Sequence, residues 1–400
     1  MNILVINCGS STIKFQLIDV EKNNEVIAKG RCDMVGYKES NIIYNNVRDG
    51  IKKNEDIPMP THKEAMEVLL NTLMDKEIGV ISSMDEIYAV GHRVVHGGEK
   101  FNSSVLVDDS VIEEIEKLVD LAPLHNPGCL MGIKAMMQVA PGKKNVAVFD
   151  TAFHQTLEPR CYIYPIPYKF YEENKIRKYG AHGTSHFYVS SRVRDLLENP
   201  EHSKIIVAHL GAGGSLSAVK DGKCINTSMG FTPLAGIMMG TRSGDLDPSV
   251  VEYLVDTLGI DMHEVIHILN KESGLLGVSG VSSDFRDVLE AANHGNERAK
   301  LAIDIFFRRV IAYIGRYFIA LGGCDAIAFT AGIGENSAYA RKEIISLISE
   351  ALGIVIDDDA NENGQGERLI TKPESKVKVY VIPTNEELVI ARDTKRLLDL

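Results

Sequence analysis

Two glycine-rich turns carry residue types that bind phosphate. They span residues 7–14 (NCGSSTIK) and 211–215 (GAGGS), and each follows a short apolar run. Small residues leave backbone N–H groups exposed there, and hydroxyl groups and Lys14 add further donors. An ordinary hairpin turn with a surface lysine would show the same pattern. Neither turn is a Walker A loop, because the Gly-Lys pairs of the chain are followed by Lys144 and Cys224 rather than by serine or threonine.

Two arginines lie among glycines, Arg93 in GHRVVHGG and Arg242 in GTRSGD. The planar guanidinium is favoured where two oxygens of a phosphate or carboxylate must be held at once. Neighbouring glycines let a ligand approach the backbone. Either arginine could equally be a structural ion-pair partner, but two such arginines beside two phosphate-type turns strengthen the case for an anion site.

Two acidic residues stand at the ends of apolar runs. Asp150 ends VAVFD, and Glu386 follows the run that ends in IPTN. In α/β folds, acids that bind a metal or a substrate lie at such strand ends. Asp150 could instead be a solvated strand end or a helix N-cap. Glu386 could hold Mg²⁺, or it could simply favour the start of a helix.

His182 and His186 stand four residues apart in YGAHGTSH. A zinc-binding pair is one interpretation. We favour one histidine directed into a cleft, because Gly183 favours a turn over a regular helix.

A literal HExxH motif spans residues 263–267, but the HxxGxxH continuation is missing. We therefore interpret residues 260–270 as an amphipathic helix with Val265, Ile266 and Leu269 facing inward, rather than as a metalloprotease site.

A third glycine-rich segment, residues 329–336 (FTAGIGEN), follows a predicted strand and opens a predicted helix. Such a turn suits the sugar or phosphate of a nucleotide. Asp284 is expected to cap a helix, and Arg286 could stack on a base.

Composition excludes several classes of protein. The 400 residues carry 43 Lys and Arg against 55 Asp and Glu, a net charge of −12, which argues against a nucleic-acid partner. No apolar run approaches the ~20 residues that cross a bilayer, and the first residues lack the features of a signal peptide. The six cysteines form no CxxC pair. We therefore expect a cytoplasmic protein with reduced thiols and no membrane partner.

Apolar runs predict strands at residues 3–7, 13–19, 86–90, 146–149, 204–209, 216–219, 325–329 and 377–382. Helical periodicity predicts helices at about residues 63–73, 109–121, 127–137, 248–258, 284–292, 297–320, 338–351 and 386–398. This mixture predicts an α/β fold.

The two phosphate-type turns lie in similar strand–turn–strand segments that begin at Val5 and Val207. This repeat suggests duplicated halves that face a cleft, although coincidence between two short hairpins would look alike. We predict one domain from residues 1–150 plus 385–400 and a second from residues 151–384. The boundary rests on the repeat, because composition shows no linker.

Taken together, these segments resemble the acetokinase family of actin-like phosphotransferases over essentially the whole chain. The markers that carry the resemblance are NCGSSTIKF, GHRVVHGGE, PLHNP, VAVFDTAFHQT, YGAHGTSH, HLGAGGS, TSMGFTPL, MGTRSGDLDP, NKESGLLGVSG, SSDFRD, FTAGIGENS and VIPTNEELVIARDT.

The resemblance implies two duplicated actin-like (ribonuclease H-like) domains with a cleft between them, and a homodimer. It implies reversible transfer of a phosphoryl group between ATP and acetate, giving ADP and acetyl phosphate, with Mg²⁺ or, alternatively, Mn²⁺. It also assigns catalytic and substrate-binding roles to Asp150, His182, Arg242, Arg93, Val95, Leu124, His125 and Pro233.

In this assignment Arg93 and Arg242 clamp the phosphoryl group and the carboxylate, and His182 donates to the phosphoryl group in the transition state. Val95, Leu124 and Pro233 line the pocket for the methyl group, with His125 nearby. Asn7 and Glu386 are implied for the metal. The resemblance gives the nucleotide to Lys14, His209, Leu210, Gly211, Ala212, Gly213, Asp284, Phe285, Arg286, Gly332, Ile333, Gly334 and Asn336.

The implied reaction agrees with the charges of the motifs. Acetate is ionised at neutral pH, so positioning and positive charge are needed rather than a general base. We favour direct in-line transfer, with a phosphorylated Glu386 or Asp150 as the alternative. A kinase for propionate or butyrate and a non-catalytic nucleotide sensor are the competing functions.

The chain departs from the family pattern at two places. The family usually has phenylalanine where this chain has Ala181, and asparagine where it has Ala212. Losing the aromatic ring should widen the acyl pocket, and losing the amide removes a donor near the phosphates. We therefore predict activity on propionate closer to that on acetate than is usual in the family, and a weaker hold on the phosphoryl group.

Overall fold

The computed structural model describes residues 1–123 and 125–398 and shows a mixed α/β fold with two sheets. The strands of this described part are β1 Asn2–Cys8, β2 Ile13–Asp19, β3 Glu25–Asp33, β4 Asn41–Asn46, β5 Ile51–Asp56, β6 Ile87–Val94, β7 Val105–Leu106, β8 Lys144–Phe149, β9 Lys204–Leu210, β10 Gly214–Lys220, β11 Lys223–Thr227, β12 Ala326–Thr330, β13 Arg368–Leu369 and β14 Lys378–Val381.

The helices within the same residues are α1 His62–Leu73, α2 Asp109–Lys117, α3 Asn126–Val139, α4 Pro159–Tyr162, α5 Lys169–Asn174, α6 Gly183–Leu196, α7 Pro248–Glu252, α8 Met262–His267, α9 Gly274–Ser279, α10 Phe285–Asn293, α11 Glu297–Leu321, α12 Ala331–Asn336, α13 Ala338–Ser346, α14 Ser349–Leu352, α15 Asp358–Glu362 and α16 Glu386–Leu398. No helix in the described ranges has the length and apolar character needed to span a membrane.

The chain divides into two compact units. The first comprises Met1–Phe153 and the described residues of Asn385–Leu400, and the second comprises His154–Thr384. The sheet of the first unit has the strand order β5-β4-β3-β2-β1-β6-β8-β7. Strands β1, β2 and β3 pair antiparallel, whereas β1, β6 and β8 run parallel.

The sheet of the second unit repeats this arrangement, with the strand order β11-β10-β9-β12-β14-β13. Its β9, β10 and β11 pair antiparallel, and β9, β12 and β14 run parallel. In each unit the first two strands enclose one of the glycine-rich turns. The α/β fold and the duplicated hairpins predicted from the sequence are thereby confirmed.

Helices cover both faces of the parallel strands in the first unit. One face packs β1, β6 and β8 against α16 through a cluster that includes Val5, Ala89, Val146 and Ile390. The other face packs on α1 and α3. The α16 helix lies so close to β6 that a Cβ on Gly91 would be 2.6 Å from Ile390 Cγ2.

The core of the second unit is built around α11, a helix of 25 residues. Its buried face includes Ile303, Phe306, Val310 and Ile314, and it packs on β9 and β10 and on α9, α10 and α13. Asn296 caps α11 through its side chain, and Gly322 in the left-handed conformation ends it.

Several predicted elements differ in extent from those observed. The structure ends α2 at Lys117 and continues as a 3₁₀ turn, and it follows α7 with a π-type turn at Tyr253–Thr257. The inward assignment of Ile266 was wrong: Val265 and Leu269 are buried, but Ile266 is 45% exposed. Because α8 ends at His267, one regular helical stripe does not extend through this segment.

Candidate functional site

In the first unit, Arg93 and Asp150 form a close ion pair, although they are 57 residues apart in the chain. Arg93 lies on β6, and Asp150 follows the parallel neighbour β8. Arg93 Nη2 donates to Asp150 Oδ2 at 2.6 Å, and Arg93 Nε donates to both carboxylate oxygens at 3.0 and 3.2 Å. Asp150 is almost fully buried, so it holds the guanidinium in one orientation.

Glu386, the first residue of α16, has an unusual electrostatic environment. Burial raises the pKa of its carboxyl group to about 7, and the negative charges of Asp150 and Glu387 act in the same direction. Arg93 and Lys14 oppose this rise. The group therefore lies in a site where additional positive charge would stabilise its ionised form.

The first glycine-rich turn is held on two sides. Asn7 on β1 pairs with Lys14 on β2, and Gly9 N donates to Thr12 O at 2.8 Å across the turn. His62 Nε2 donates to the carbonyl oxygen of Gly9 at 2.9 Å. These contacts keep the turn in one conformation beside β6.

A cavity of about 230 Å³ brings this turn together with Arg93. Of the residues implied for the substrate and the metal, Asn7, Arg93, Val95 and His125 line it, and so does Lys14, which the resemblance gives to the nucleotide. Leu124 lies outside the described residues. The cavity is also lined by Cys8, Gly9, Thr12 and Cys129. One small space thus combines two cationic side chains with an apolar wall.

In the second unit, the turn that precedes β10 lies against His182 and Arg242. A Cβ placed on Gly213 would be 3.4 Å from Arg242 Nη1 and 3.7 Å from His182 Nε2. The two nitrogen donors therefore converge on the same side of the glycine turn. An anion bound there could accept from both, and from backbone N–H groups of the turn.

Arg242 is half-buried, and its contacts differ from those of Arg93. Within residues 1–123 and 125–398, the acceptors near its Nη1 are neutral: Pro233 O at 3.5 Å and Met239 Sδ at 3.8 Å. Desolvation lowers its pKa from the ordinary value. A partly buried guanidinium without a carboxylate partner in this part of the chain is suited to an external anion.

His182 adopts the left-handed conformation, with φ 57° and ψ 24°, and immediately precedes α6. Its ring stacks on that of His209 with the centroids 4.2 Å apart. Gly183 is the first residue of α6, so the expectation that Gly183 favours a turn over a regular helix was wrong. The turn instead lies at His182, and His186 follows one helical turn later.

A second cavity, of about 770 Å³, lies beside the same glycine turn. Its size is in the range of small-molecule sites. Eight of the residues implied for the nucleotide line it: Gly211, Ala212, Asp284, Phe285, Arg286, Gly332, Ile333 and Asn336. Arg286 is 87% exposed and pairs with Asp284 through Nη2 and Oδ2 at 2.6 Å.

One wall of the cavity was not predicted from the sequence. It consists of Leu289, Glu290 and Asn293 on α10 and of His294, which directly follows this helix. Ser283 and Ser337 also line the cavity. Spacings of three, four and seven residues from Arg286 place this wall on one helical face, which is a signal present in the sequence. Gly334, His209 and Leu210 do not line this cavity. Gly334 instead packs against the backbone of β9 and β12.

The acidic and amide side chains of the first unit fit Mg²⁺ in their chemistry. Across residues 1–123 and 125–398, no three histidine, cysteine or acidic side chains form a metal-binding group. Mg²⁺ does not require one, because it is usually bound by one or two carboxylates plus substrate phosphates and water. Glu386 and Asn7 supply the right oxygen types, and a cation would offset the cost of ionising Glu386.

The repeated sheet topology and the two glycine turns define a fold of the duplicated, actin-like class. A family model described as the acetokinase family matches residues 2–392. An acetate kinase of Fusobacterium nucleatum is 54% identical over 398 residues, which cover 99% of this chain and 100% of that protein.

Solved structures agree with this assignment. The acetate kinase of Porphyromonas gingivalis superimposes with a TM-score of 0.95 at 45% identity, over 99% of both chains. A propionate kinase of Francisella tularensis superimposes with a TM-score of 0.92 at 43% identity, again over 99% of both chains. The chain therefore belongs to the acetokinase family, and it is a phosphotransferase.

Proposed function

We propose that this chain catalyses the reversible transfer of the γ-phosphoryl group of ATP to acetate, giving acetyl phosphate and ADP. The observation that carries this proposal is the cavity of about 230 Å³ in the first unit. It combines Arg93 and Lys14, which suit a carboxylate and a phosphoryl group, with the apolar side chain of Val95, which suits a methyl group. Two relatives that are 54% and 53% identical in sequence to this chain are named acetate kinase.

In this proposal Asp150 positions Arg93 and does not act as a general base. Carboxylic acids have pKa values near 4, so the acceptor is already ionised at pH 7. The chemical difficulty is to bring an anion to a polyanion, and arginine and lysine side chains reduce that repulsion. Val95 and Pro233 are assigned to the methyl group, with His125 near the acyl group.

The second unit is assigned to the nucleotide. The cavity of about 770 Å³ takes the adenosine, and the glycine turn takes the phosphates. Arg242 Nη1 and His182 Nε2 converge beside Gly213, where they would donate to the oxygens of the transferring group. Donors fixed before the reaction stabilise charge that develops during it.

Mg²⁺ is part of this proposal, with Asn7 and Glu386 as the residues that would hold it. When bound, the ion neutralises charge on the phosphate oxygens. The chain's own contribution is to present these oxygen ligands in a partly buried setting near Arg93 and Lys14.

A hydroxylamine trap tests the function directly. The enzyme is given ATP and Mg²⁺ with acetate, propionate or butyrate, and acyl hydroxamate and ADP are measured. The proposal requires acyl hydroxamate from acetate. Formation of none from any of the three acids would reject it. The Arg242→Ala variant of a kinase should still bind nucleotide but should lose turnover. A nucleotide sensor would show no turnover even without the substitution.

Propionate is the second candidate substrate, favoured by a specific residue. Ala181 stands where the family usually has phenylalanine, and the similar Francisella tularensis structure is that of a propionate kinase. A higher kcat/KM for propionate than for acetate would support this alternative and leave the assigned roles of the arginines in place.

Direct transfer and a phosphoenzyme predict different products from labelled ATP. Incubation with γ-³²P-ATP in the absence of any acid would label Glu386 or Asp150 if a phosphoenzyme formed. We expect no labelled protein. The homodimer implied by the family stays a prediction, which sedimentation equilibrium of the purified chain would test.

A further inference from the structure

A chain of side-chain hydrogen bonds leads from the core of the second unit to His182. His182 Nδ1 lies 2.9 Å from Ser215 Oγ, and the same oxygen lies 2.7 Å from His186 Nε2. On the other side of that ring, His186 Nδ1 lies 2.8 Å from Ser217 Oγ. The two serines are two residues apart on β10, so they project from the same face of the strand. The two histidines are one turn apart at the start of α6.

The interior members of this chain are shielded from water. Ser215, Ser217 and His186 are all 0% exposed. Burial lowers the pKa of His186 well below the ordinary value, and His154 and His209 act in the same direction. His186 is therefore a neutral imidazole at physiological pH, with a proton on one ring nitrogen and a lone pair on the other.

The number of protons links the states of the two rings. The Ser215 hydroxyl has one proton, and its side-chain partners within the described residues are the two imidazole nitrogens. Because this hydroxyl is buried, its proton is satisfied only when it donates to one ring and accepts from the other. If Ser215 donates to His182, then His186 carries its proton on Nε2, and a neutral His182 carries its proton on Nε2 as well. If Ser215 donates to His186, both rings carry their protons on Nδ1.

Ser217 favours the first arrangement. Within the described residues, the side chain of Ser217 has His186 Nδ1 as its hydrogen-bond partner. In the first arrangement the buried Ser217 hydroxyl donates to that nitrogen. In the second it accepts instead, and its own proton lacks an acceptor in this part of the chain. A buried donor without an acceptor costs more than an acceptor with a spare lone pair.

We propose that Ser215 and His186 are positioning residues that keep the proton of His182 on Nε2, and that they thereby fix His182 as a hydrogen-bond donor toward the space beside Gly213 and Arg242. The catalytic consequence rests on the proposed function, whereas the proton positions do not. Because Ser215 donates to Nδ1, it also opposes the addition of a second proton to His182 at that nitrogen. Arg242 Nη1 lies on the same side of the glycine turn, and its positive charge would repel a positively charged ring.

The proton positions can be measured without substrate. Protein with ¹⁵N-labelled histidine is examined by two-bond ¹H–¹⁵N correlation at pH 7.5, and His182→Gln and His186→Gln variants assign the two rings by the loss of their signals. The proposal requires the Nε2–H form at both rings. The Nδ1–H form at either ring, or a doubly protonated His182, would overturn it.

The catalytic consequence is tested with two matched serine deletions. Ser215→Ala and Ser217→Ala each remove one buried hydroxyl from the same face of β10, so their structural costs should be alike. We expect kcat to fall at least tenfold in Ser215→Ala, with the KM for ATP changed less than threefold, because the ring loses the group that orients its donor. Ser217→Ala should lose much less, because removing this hydroxyl takes away the one side-chain acceptor that the described residues place beside His186 Nδ1, so nothing draws the proton to that nitrogen.

Ser215→Thr keeps a hydroxyl at the bridging position and should restore most of kcat. Equal losses of kcat in the two alanine variants, or no recovery with threonine, would reduce Ser215 to a structural role and overturn the positioning proposal. A different result would reject the proposed function alone: the unaltered enzyme would form no acyl phosphate, although His182 showed the Nε2–H form.

Discussion

The substitution Gly213→Ala tests whether Arg242 and His182 act on one bound group. A methyl group at this position would be 3.4 Å from Arg242 Nη1 and 3.7 Å from His182 Nε2, which are ordinary contact distances. Gly213 does not have a positive φ, so alanine adds no backbone strain. The variant should fold normally, and reduced freedom of the unfolded chain should stabilise it by about 0.5 kcal/mol.

Its effect on activity should be large, because a phosphate oxygen within hydrogen-bond distance of both nitrogens needs the space that the methyl group takes. A hydrogen bond that involves a charged group contributes about 1.5–3 kcal/mol. Weakening one such bond should lower kcat/KM by a factor of about 10 to 100. The assay is acyl hydroxamate formation with ATP varied, together with the midpoint of urea unfolding.

Gly315→Ala is the matched control. Gly315 is an exposed glycine within α11, and a Cβ there would have no atom within 4 Å. Alanine should stabilise the helix by up to about 1 kcal/mol and leave activity unchanged. If Gly213→Ala folds normally and keeps kcat/KM within twofold of the unaltered enzyme, Arg242 and His182 do not act on one group bound beside Gly213.

Three further substitutions test other parts of the structure. Asp150→Asn leaves Arg93 without its charged partner, so we expect a loss of about 3 kcal/mol in the free energy of unfolding and at least a tenfold loss of kcat/KM; urea titration and the hydroxamate assay measure both. Ala181→Phe should lower the propionate-to-acetate ratio of kcat/KM at a packing cost of about 1–3 kcal/mol, and an unchanged ratio would contradict the widened pocket. His92 is buried beside Asn145, and burial lowers the pKa of its imidazole from 6.5 to about 4. The folded state therefore favours the neutral ring. The stability that depends on this neutral form is present above pH 6.5 and is lost as the pH falls toward 4. His92→Gln should flatten the pH dependence of the unfolding free energy in that interval by about 3 kcal/mol, and equal slopes for the two proteins would contradict the assignment.

Local pattern was enough to predict elements that carry a full apolar stripe or an apolar run next to a turn. The predicted strand at residues 13–19 and the predicted helix at 386–398 coincide with β2 and α16. In both, side-chain periodicity and flanking residues point to the same structure. The two hairpins, and with them the duplicated topology, could be recognised for the same reason.

The strands β3, β4 and β5 were not predicted, because their sequences are rich in charged and amide residues. β5 reads IKKNED, and most of its side chains are exposed. Such a segment becomes a strand through pairing with β4 along its whole length rather than through its own preference. Local sequence does not contain that information.

The candidate site shows the same division between local and distant information. The glycine-rich motifs predicted that both arginines bind an anion. The motifs did not show that Arg93 is held by Asp150, whereas the acceptors near Arg242 are neutral. The bridging position of Ser215 between two histidine rings was also hidden, because it depends on the register of β10 beside α6. Contacts of this kind are fixed by tertiary packing.

The position of α16 has a consequence for how the protein is made. The second unit is continuous in sequence, whereas the first needs residues from both ends of the chain. The ribosome synthesises β1, β6 and β8 long before Ile390 and Ala391, the residues of α16 that cover these strands. Until then the apolar face formed by Ile3, Val5 and their neighbours stays open to water or to chaperones. The half of the enzyme that is translated first is therefore expected to be the half whose fold is completed last.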